Sequence, residues 1–163
     1  MSVHLEPLAE AHRAAVVAIF NHYVVDGFAA YFDAPVPEAF FDRLLSLAAG
    51  YPAVAAVSED GVVAGFGLLH PWHPAPTLRR TAEISYFLRP ESCRQGIGTR
   101  ILDHCVAEAR RLGVDNLLAS ISSRNAESLA FHLKHGFVQV GRFPAVGRKH
   151  GADFDVVWMQ RRL

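Results

Sequence analysis

Apolar residues recur along the chain with two different periods, and the changes of period divide it into elements. "VHLEPL" reads as a short first strand. From Glu10 to Val25 the period lengthens: Ala14, Val17 and Phe20, with Val16, Ile19 and Tyr23, form a helical stripe. "DGFAAYFDAPVPEAF" breaks that stripe with glycine and proline, which predicts a loop, with Pro37 opening a second helix to about Ala49. "YPAVAAVSEDGVVAGFGLLH" reads as two strands around an "EDG" turn, and "PWHPAP" as a proline-rich loop. "RRTAEISYFLRP" is a strand stopped by Pro90. "GIGTRILDHCVAEARRLG" predicts a helix with Ile97, Ile101, Leu102, Cys105 and Ala109 on one face and Gly113 at its end. "DNLLASISS" is a strand, and "NAESLAFHLKHG" a helix with Asn125 as N-cap. "FVQVGRF" and "DFDVVWMQRRL" close the chain as strands. This order predicts one α/β domain, residues 1–163, around a sheet of mixed strand direction.

Composition narrows the function. Sixteen basic residues balance sixteen acidic ones, and no like-charge block is longer than a pair. A phosphate-neutralising face for nucleic acid is therefore not expected. No run approaches the ~20 apolar residues that span a bilayer. The opening "MSVHLEPLAEAHR" lacks a basic segment followed by an apolar one, so no signal peptide is expected. Cys93 and Cys105 are the only cysteines, which suggests neither a disulfide framework nor a zinc ribbon and points to the reducing cytoplasm.

The chemistry starts at "RQGIGT", Arg94 to Thr99, between a strand and the longest helix. The first N–H groups of a helix lack intrahelical acceptors, and the dipole favours an anion there. Gly96 and Gly98 have no Cβ to keep a phosphate away, and Arg94 can add charge-assisted bonds. A Walker loop would need Gly-Lys-Ser/Thr, and a dinucleotide loop a third glycine and an acidic end to the next strand; neither is present. These residues alone also fit a glycine-rich helix start that holds nothing.

In "TAEISYFL" strand alternation puts Glu83, Ser85 and Phe87 on one face and Ile84, Tyr86 and Leu88 on the other. A carboxylate in an apolar strand is costly to bury unless it is paired or functional. Glu83 fits either a reactive group or an exposed strand start paired with Arg79 or Arg80. His132, in "ESLAFHLKHGF", fits either an imidazole that moves protons or a half-exposed helix residue. His132 with His135, and His70 with His73, lack the cysteine or carboxylate partners of a metal site, so no metal is expected. Cys93 beside the glycine loop has no matched histidine pattern, so transfer through an acyl-cysteine is not expected.

The order strand, glycine loop, helix, strand, Asn125 helix and "HGF" resembles the GNAT superfamily of N-acetyltransferases over nearly the whole chain. At finer grain it resembles the phosphinothricin N-acetyltransferase family. The pieces that match are "NHY" from Asn21, "YP" from Tyr51, "GVVAG" from Gly61, "PW" from Pro71, "TAE" from Thr81, "RQGIG", Asn125, His132, "GF" from Gly136, and "KHG…DV…Q" from Lys149 to Gln160. The resemblance implies a central mixed, splayed sheet of about seven strands flanked by about four helices. It implies acetyl-coenzyme A as co-substrate, a small amino-acid-like amine of the phosphinothricin or methionine sulfone/sulfoximine type as acceptor, direct transfer, and a homodimer with the C-terminal strands near the interface. It further implies Glu83 as general base with His132 assisting as acid, base or orienting group. By the same resemblance the backbone of Tyr86, Phe87 and Leu88 and the side chain of Asn125 meet the pantetheine arm. Arg94, Gln95, Gly96, Ile97, Gly98 and Thr99 meet the pyrophosphate. Tyr31, Phe32, Trp72, His73 and Arg80 become candidates for the acceptor pocket, with Arg80 as partner for a carboxylate. A protein or peptide acceptor, and a non-catalytic acyl-coenzyme A sensor, are the alternatives.

Overall fold

Seven strands form one sheet: β1 (Val3–Pro7), β2 (Ala53–Ser58), β3 (Val63–Pro71), β4 (Thr81–Leu88), β5 (Asn116–Ser122), β6 (Val138–Lys149) and β7 (Ala152–Arg162), in the order β1-β2-β3-β4-β5-β7-β6. Four α-helices flank it: α1 (Arg13–Val25), α2 (Phe40–Leu47), α3 (Ile97–Arg111) and α4 (Ala126–Lys134). These coordinates are a computed structural model, which describes residues 2–163. Among the described residues no helix is long and apolar enough to cross a membrane.

Every strand pair is antiparallel except β4 with β5, which run parallel. That pair is short. It joins Thr81 to Asn116, Ala82 to Leu117 and Glu83 to Leu118, and then the strands part. The outer ladders continue, with β4 paired to β3 as far as Leu88 and β5 paired to β7 as far as Ser122. The sheet is thus splayed at its centre, where β4 beyond Glu83 keeps β3 on one edge and has no strand on the other.

The two faces carry separate cores. On one, α3 buries Ile97, Ile101, Leu102, Cys105 and Ala109 against Val54, Leu69, Ile84, Leu117 and Met159. Each large side chain so buried contributes about 1.5–3 kcal/mol of transfer free energy. The approach is close at one point: a Cβ on Gly67 of β3 would stand 2.4 Å from Ile101 Cγ2, so only glycine lets α3 settle there. On the other face α1 and α2 bury Val16, Val17, Ile19, Phe20, Val24, Phe41 and Leu44 against Ala55, Val57, Phe66 and Leu68. Arg13 ties the two helices together through Glu10 and Asp42.

Three expectations shift in detail. Ala14 is exposed, and the buried stripe of α1 runs through Val16, Val17, Ile19, Phe20 and Val24 instead. Pro37 opens a turn, closed by Phe40 N–H on its carbonyl at 2.9 Å, and α2 proper spans only Phe40–Leu47. β6 does not stop at Phe143 but continues to Lys149 across a register shift. Pro144 is absorbed there because Ala145, at φ 50, turns its N–H onto Asp155 Oδ1 at 2.7 Å.

The long connection between α1 and α2 is held by side chains. Asn21 accepts from Val36 N–H and donates to its carbonyl. The buried Lys149 ammonium donates to the carbonyls of Tyr23 and Ala30, at 3.0 and 2.9 Å. Tyr31 stacks on Phe154, and Phe32 meets Phe20 and Phe40 edge-on.

Candidate active site

A cavity of about 870 Å³ runs through the splay between β4 and β5. This volume suits a small-molecule site. Its walls include Tyr31, Phe32, Phe40 and Arg43 on the α1/α2 side, Glu83 to Leu88 along β4, and Arg94, Gly96, Gly98, Thr99, Asn125 and His132 on the α3/α4 side. Because the opening pierces the sheet, it collects groups from both faces of one strand. Ile84, Tyr86 and Leu88 pack with the α3 core and Phe87 with the α1/α2 core, in the alternation read from the sequence.

Glu83 sits at the last paired position before the strands diverge. Its side chain is only 20% exposed. Burial pushes its carboxyl above the usual carboxylate range, while His70 and a hydrogen bond from Ser120 pull it back. A partly buried carboxylate whose charged state is only partly compensated is a competent base.

His132 is buried, at 3% exposure, and it faces the other way. Its Nδ1–H donates to the Ser128 carbonyl at 2.7 Å, since a carbonyl can only accept. Nε2 is thereby left as acceptor for the Tyr86 hydroxyl at 2.6 Å. The two rings lie nearly parallel, and Phe137 packs edge-on behind the imidazole. Burial lowers the His132 pKa from its ordinary 6.5 to about 4, against the raising effect of the Ser128 carbonyl. Burial also raises the Tyr86 phenol well above its ordinary value. No hydrogen bond or ion pair joins His132 to Glu83; they act on different sides of β4.

The lowered imidazole has a sign that can be measured. The unfolded chain takes up this proton near pH 6.5 and the folded chain only near 4. Between those values the unfolded state binds more protons, so His132's contribution to stability is complete above about pH 6.5 and is lost as pH falls toward 4. The expected loss is about 3 kcal/mol across the window. Urea unfolding of wild type and His132→Asn between pH 7 and pH 4 checks it: the variant should show a flatter pH dependence.

The glycine loop opens α3 as expected. Gly96 takes φ +79 as N-cap, and no side chain caps the first turn, which leaves its N–H groups free for an anion. A Cβ on Gly98 would meet Phe131 at 3.5 Å and Leu88 at 3.6 Å, so a methyl fits but a branched chain crowds the cavity wall. Arg94 is paired with Glu127 across the mouth, both largely exposed. Thr99 bonds His135 Nε2 at 3.0 Å. Gln95 turns back onto the Glu91 carbonyl and Ile97 is buried in the core, so each offers the loop its backbone rather than a side chain on the cavity. Asn125 accepts from Ser128 N–H as a helix cap while also lining the cavity.

Tyr31 and Phe32 line the cavity, whereas Trp72, His73 and Arg80 do not. Arg80 is drawn away by an ion pair with Asp115 and lines a separate shallow recess with Gly50, Tyr51 and Gly113. His73 accepts from Ala75 N–H in an exposed turn. The cation that does face the cavity from the α2 side is Arg43, which nothing in the sequence singles out from the polar face of an amphipathic helix. Ser120 was equally hidden, as one hydroxyl in a strand. The Cys93 sulfur meets the Tyr23 hydroxyl and the Arg89 carbonyl, neither of which is a base that would activate it. Among the described residues no three His, Cys, Asp or Glu side chains converge as a metal-binding set.

Comparison with known proteins agrees with this geometry. The family model "Acetyltransferase (GNAT) family" matches residues 16–137. The L-amino acid N-acyltransferase MnaT of Escherichia coli is 35% identical over 159 residues, covering 94% of this chain and 90% of the relative. The L-methionine sulfoximine/L-methionine sulfone acetyltransferase of Pseudomonas paraeruginosa is 31% identical over 167 residues, covering 100% of this chain and 96% of the relative. A GNAT superfamily phosphinothricin acetyltransferase from Sinorhizobium meliloti, solved in complex with AcCoA, superposes with a TM-score of 0.93 at 32% identity, covering 100% of this chain and 89% of that one. With the splayed sheet, the uncapped glycine turn and these matches together, the chain belongs to the GNAT family of acetyltransferases.

Proposed function

We propose that this enzyme transfers an acetyl group from acetyl-coenzyme A to the amine of a small amino-acid-like acceptor of the methionine sulfone, methionine sulfoximine or phosphinothricin type. One observation carries the reading: the cavity pierces the sheet, with Glu83 on the α1/α2 side and the Tyr86–His132 pair on the α3/α4 side. Two substrates can then meet at β4, each against its own proton-handling group.

The residues present fit acetyl-coenzyme A, which supplies an acetyl thioester. The uncapped first turn of α3, from Gly96 to Thr99, and Arg94 would hold the pyrophosphate. Along Tyr86, Phe87 and Leu88 the strand has β3 on one side and no strand on the other, and this edge, with Asn125, would hold the amide-bearing arm. Glu83 takes the proton from the acceptor's ammonium, so that the free amine can attack. His132, neutral and hydrogen-bonded through Nδ1, accepts the hydrogen bond of the Tyr86 hydroxyl at Nε2 and so fixes the phenol in the cavity wall; turned away from Nε2, that O–H would be the proton donor for a leaving thiolate. With a pKa near 4, His132 is not itself an acid at neutral pH. Arg43 replaces Arg80 as the partner proposed for the acceptor's carboxylate. Tyr31, Phe32 and Phe40 form the apolar wall for the acceptor's side chain.

The test is release of coenzyme A thiol from acetyl-coenzyme A across a panel: phosphinothricin, methionine sulfone and sulfoximine, ordinary amino acids, polyamines and short peptides. Release with the zwitterionic amino acids is expected. Release with peptides alone would turn the reading to protein modification, and binding without any release would turn it to a sensor.

A homodimer is part of the same reading. β6 has β7 on one side and no strand on the other, and Val138, Val140, Phe143 and Val146 along it are each more than half exposed. Such a face is costly to leave in water. Sedimentation velocity at micromolar concentration should give a dimer that Val140→Asp weakens; a monomeric wild type removes this part.

A further inference from the structure

His70 lies behind the site, outside the cavity wall, and plays no part in the reaction as described so far. The antiparallel register of β3 and β4 sets it directly opposite Glu83. Directly opposed residues project to the same face of a sheet. Its ring is oriented: Nδ1–H donates to the Pro71 carbonyl at 3.1 Å, which turns Nε2 toward Glu83. Nε2 stands 3.8 Å from Glu83 Oε2, and the two side chains are only 15% and 20% exposed. At that exposure water screens the attraction less than it does for a surface pair.

The other groups around the carboxylate carry no positive charge. Ser120 reaches it from β5 with a neutral hydroxyl, and Tyr31 faces it from the α1–α2 connection with a phenol whose proton burial holds in place. His70 is the group beside Glu83 that can become a cation. Resting on the reading of Glu83 as the base, we propose that His70 is a positioning residue for it: a counter-charge seated behind the carboxylate that keeps it aimed into the cavity and ready to accept a proton. The protonated imidazole offsets the penalty that burial places on the Glu83 anion, so the base stays available at lower pH than its surroundings would otherwise allow.

The experiment is the pH dependence of kcat/KM for an amino-acid acceptor in wild type, His70→Asn, His70→Lys and Glu83→Gln. In His70→Asn the acidic limb should move up by about one pH unit, the size of effect that a charge at such a separation produces. KM for acetyl-coenzyme A and the thermal midpoint should hold. His70→Lys, which keeps a cation, should return the limb to the wild-type position or below it, and it carries the test alone if the asparagine variant does not fold. A limb that stays in place in His70→Asn, or that moves up equally in both variants, overturns the proposal. Glu83→Gln separates the two ideas. If it abolishes the limb and most of the rate while His70→Asn leaves the limb unmoved, only the role of His70 falls. If it keeps the wild-type profile, the base assignment falls and takes His70 with it.

Discussion

Glu83→Gln is expected to lower kcat by roughly 10²–10⁴-fold, the usual contribution of a positioned general base. The amide is nearly isosteric with the carboxylate and can still meet the Ser120 hydroxyl, so the wall of the cavity should keep its shape. What it cannot do is accept a proton from the acceptor's ammonium. Acetyl-coenzyme A binding, which draws on α3 and the later residues of β4, should stay within about twofold. Steady-state thiol release gives the first quantity and calorimetry the second. A rate close to wild type would remove Glu83 from the base role, and equal losses in rate and cofactor affinity would make it a structural residue. Because the rate loss arises only at the chemical step, raising the acceptor concentration should not restore it.

Phe137→Ala should cost about 3–5 kcal/mol of unfolding free energy, the range for deleting a buried aromatic ring. Phe137 is 1% exposed and belongs to the larger core. It follows Gly136, whose φ of 81 ends α4, and its N–H bonds the His132 carbonyl at 3.0 Å. Its ring also backs the imidazole, at 4.9 Å between centroids. The variant should therefore lose stability and let His132 drift from Tyr86 together. Against a typical total of 5–15 kcal/mol, a shift in urea midpoint with unchanged m-value is the expected result. A loss below about 1 kcal/mol would mean that the site collapses around the gap.

Local signals made part of this molecule legible. The helical stripe of α3 and its glycine start share one continuous stretch, and the alternation of β4 alone puts Glu83 and Tyr86 on opposite faces. What escaped was decided by partners remote in sequence. Arg80 reads as a partner for Glu83 or for the acceptor's carboxylate, because nothing near it marks Asp115 as its partner. The helix pattern leaves the burial of His132 open, because it comes from Phe137 and Tyr86, which meet it only in the folded chain. The strand "FVQVGRF" reads as ending at Phe143, before Pro144, yet β7 captures the segment beyond it through Asp155. Arg43 had the spacing of a solvated helix face, and only the placement of α2 beside the opening gives it a role. In the sequence His70 stands out only beside His73, whereas the register of β3 and β4 sets it against a carboxylate.

The parting of β4 from β5 bears on how this chain stays out of aggregates. A strand edge with open N–H and C=O groups invites pairing with any passing chain, and proteins ordinarily bevel or cover such edges. Here the free edge lies in the middle of the sheet, over residues 84–88, and it ends blind where Glu83 meets Leu118. An intruding polypeptide strand would need side-chain room on both faces, where Tyr86, Phe87, Leu88 and Phe131 already stand. A slender chain carrying only amides faces no such obstacle. An edge set this deep between packed side chains favours a slender linear molecule over a second strand.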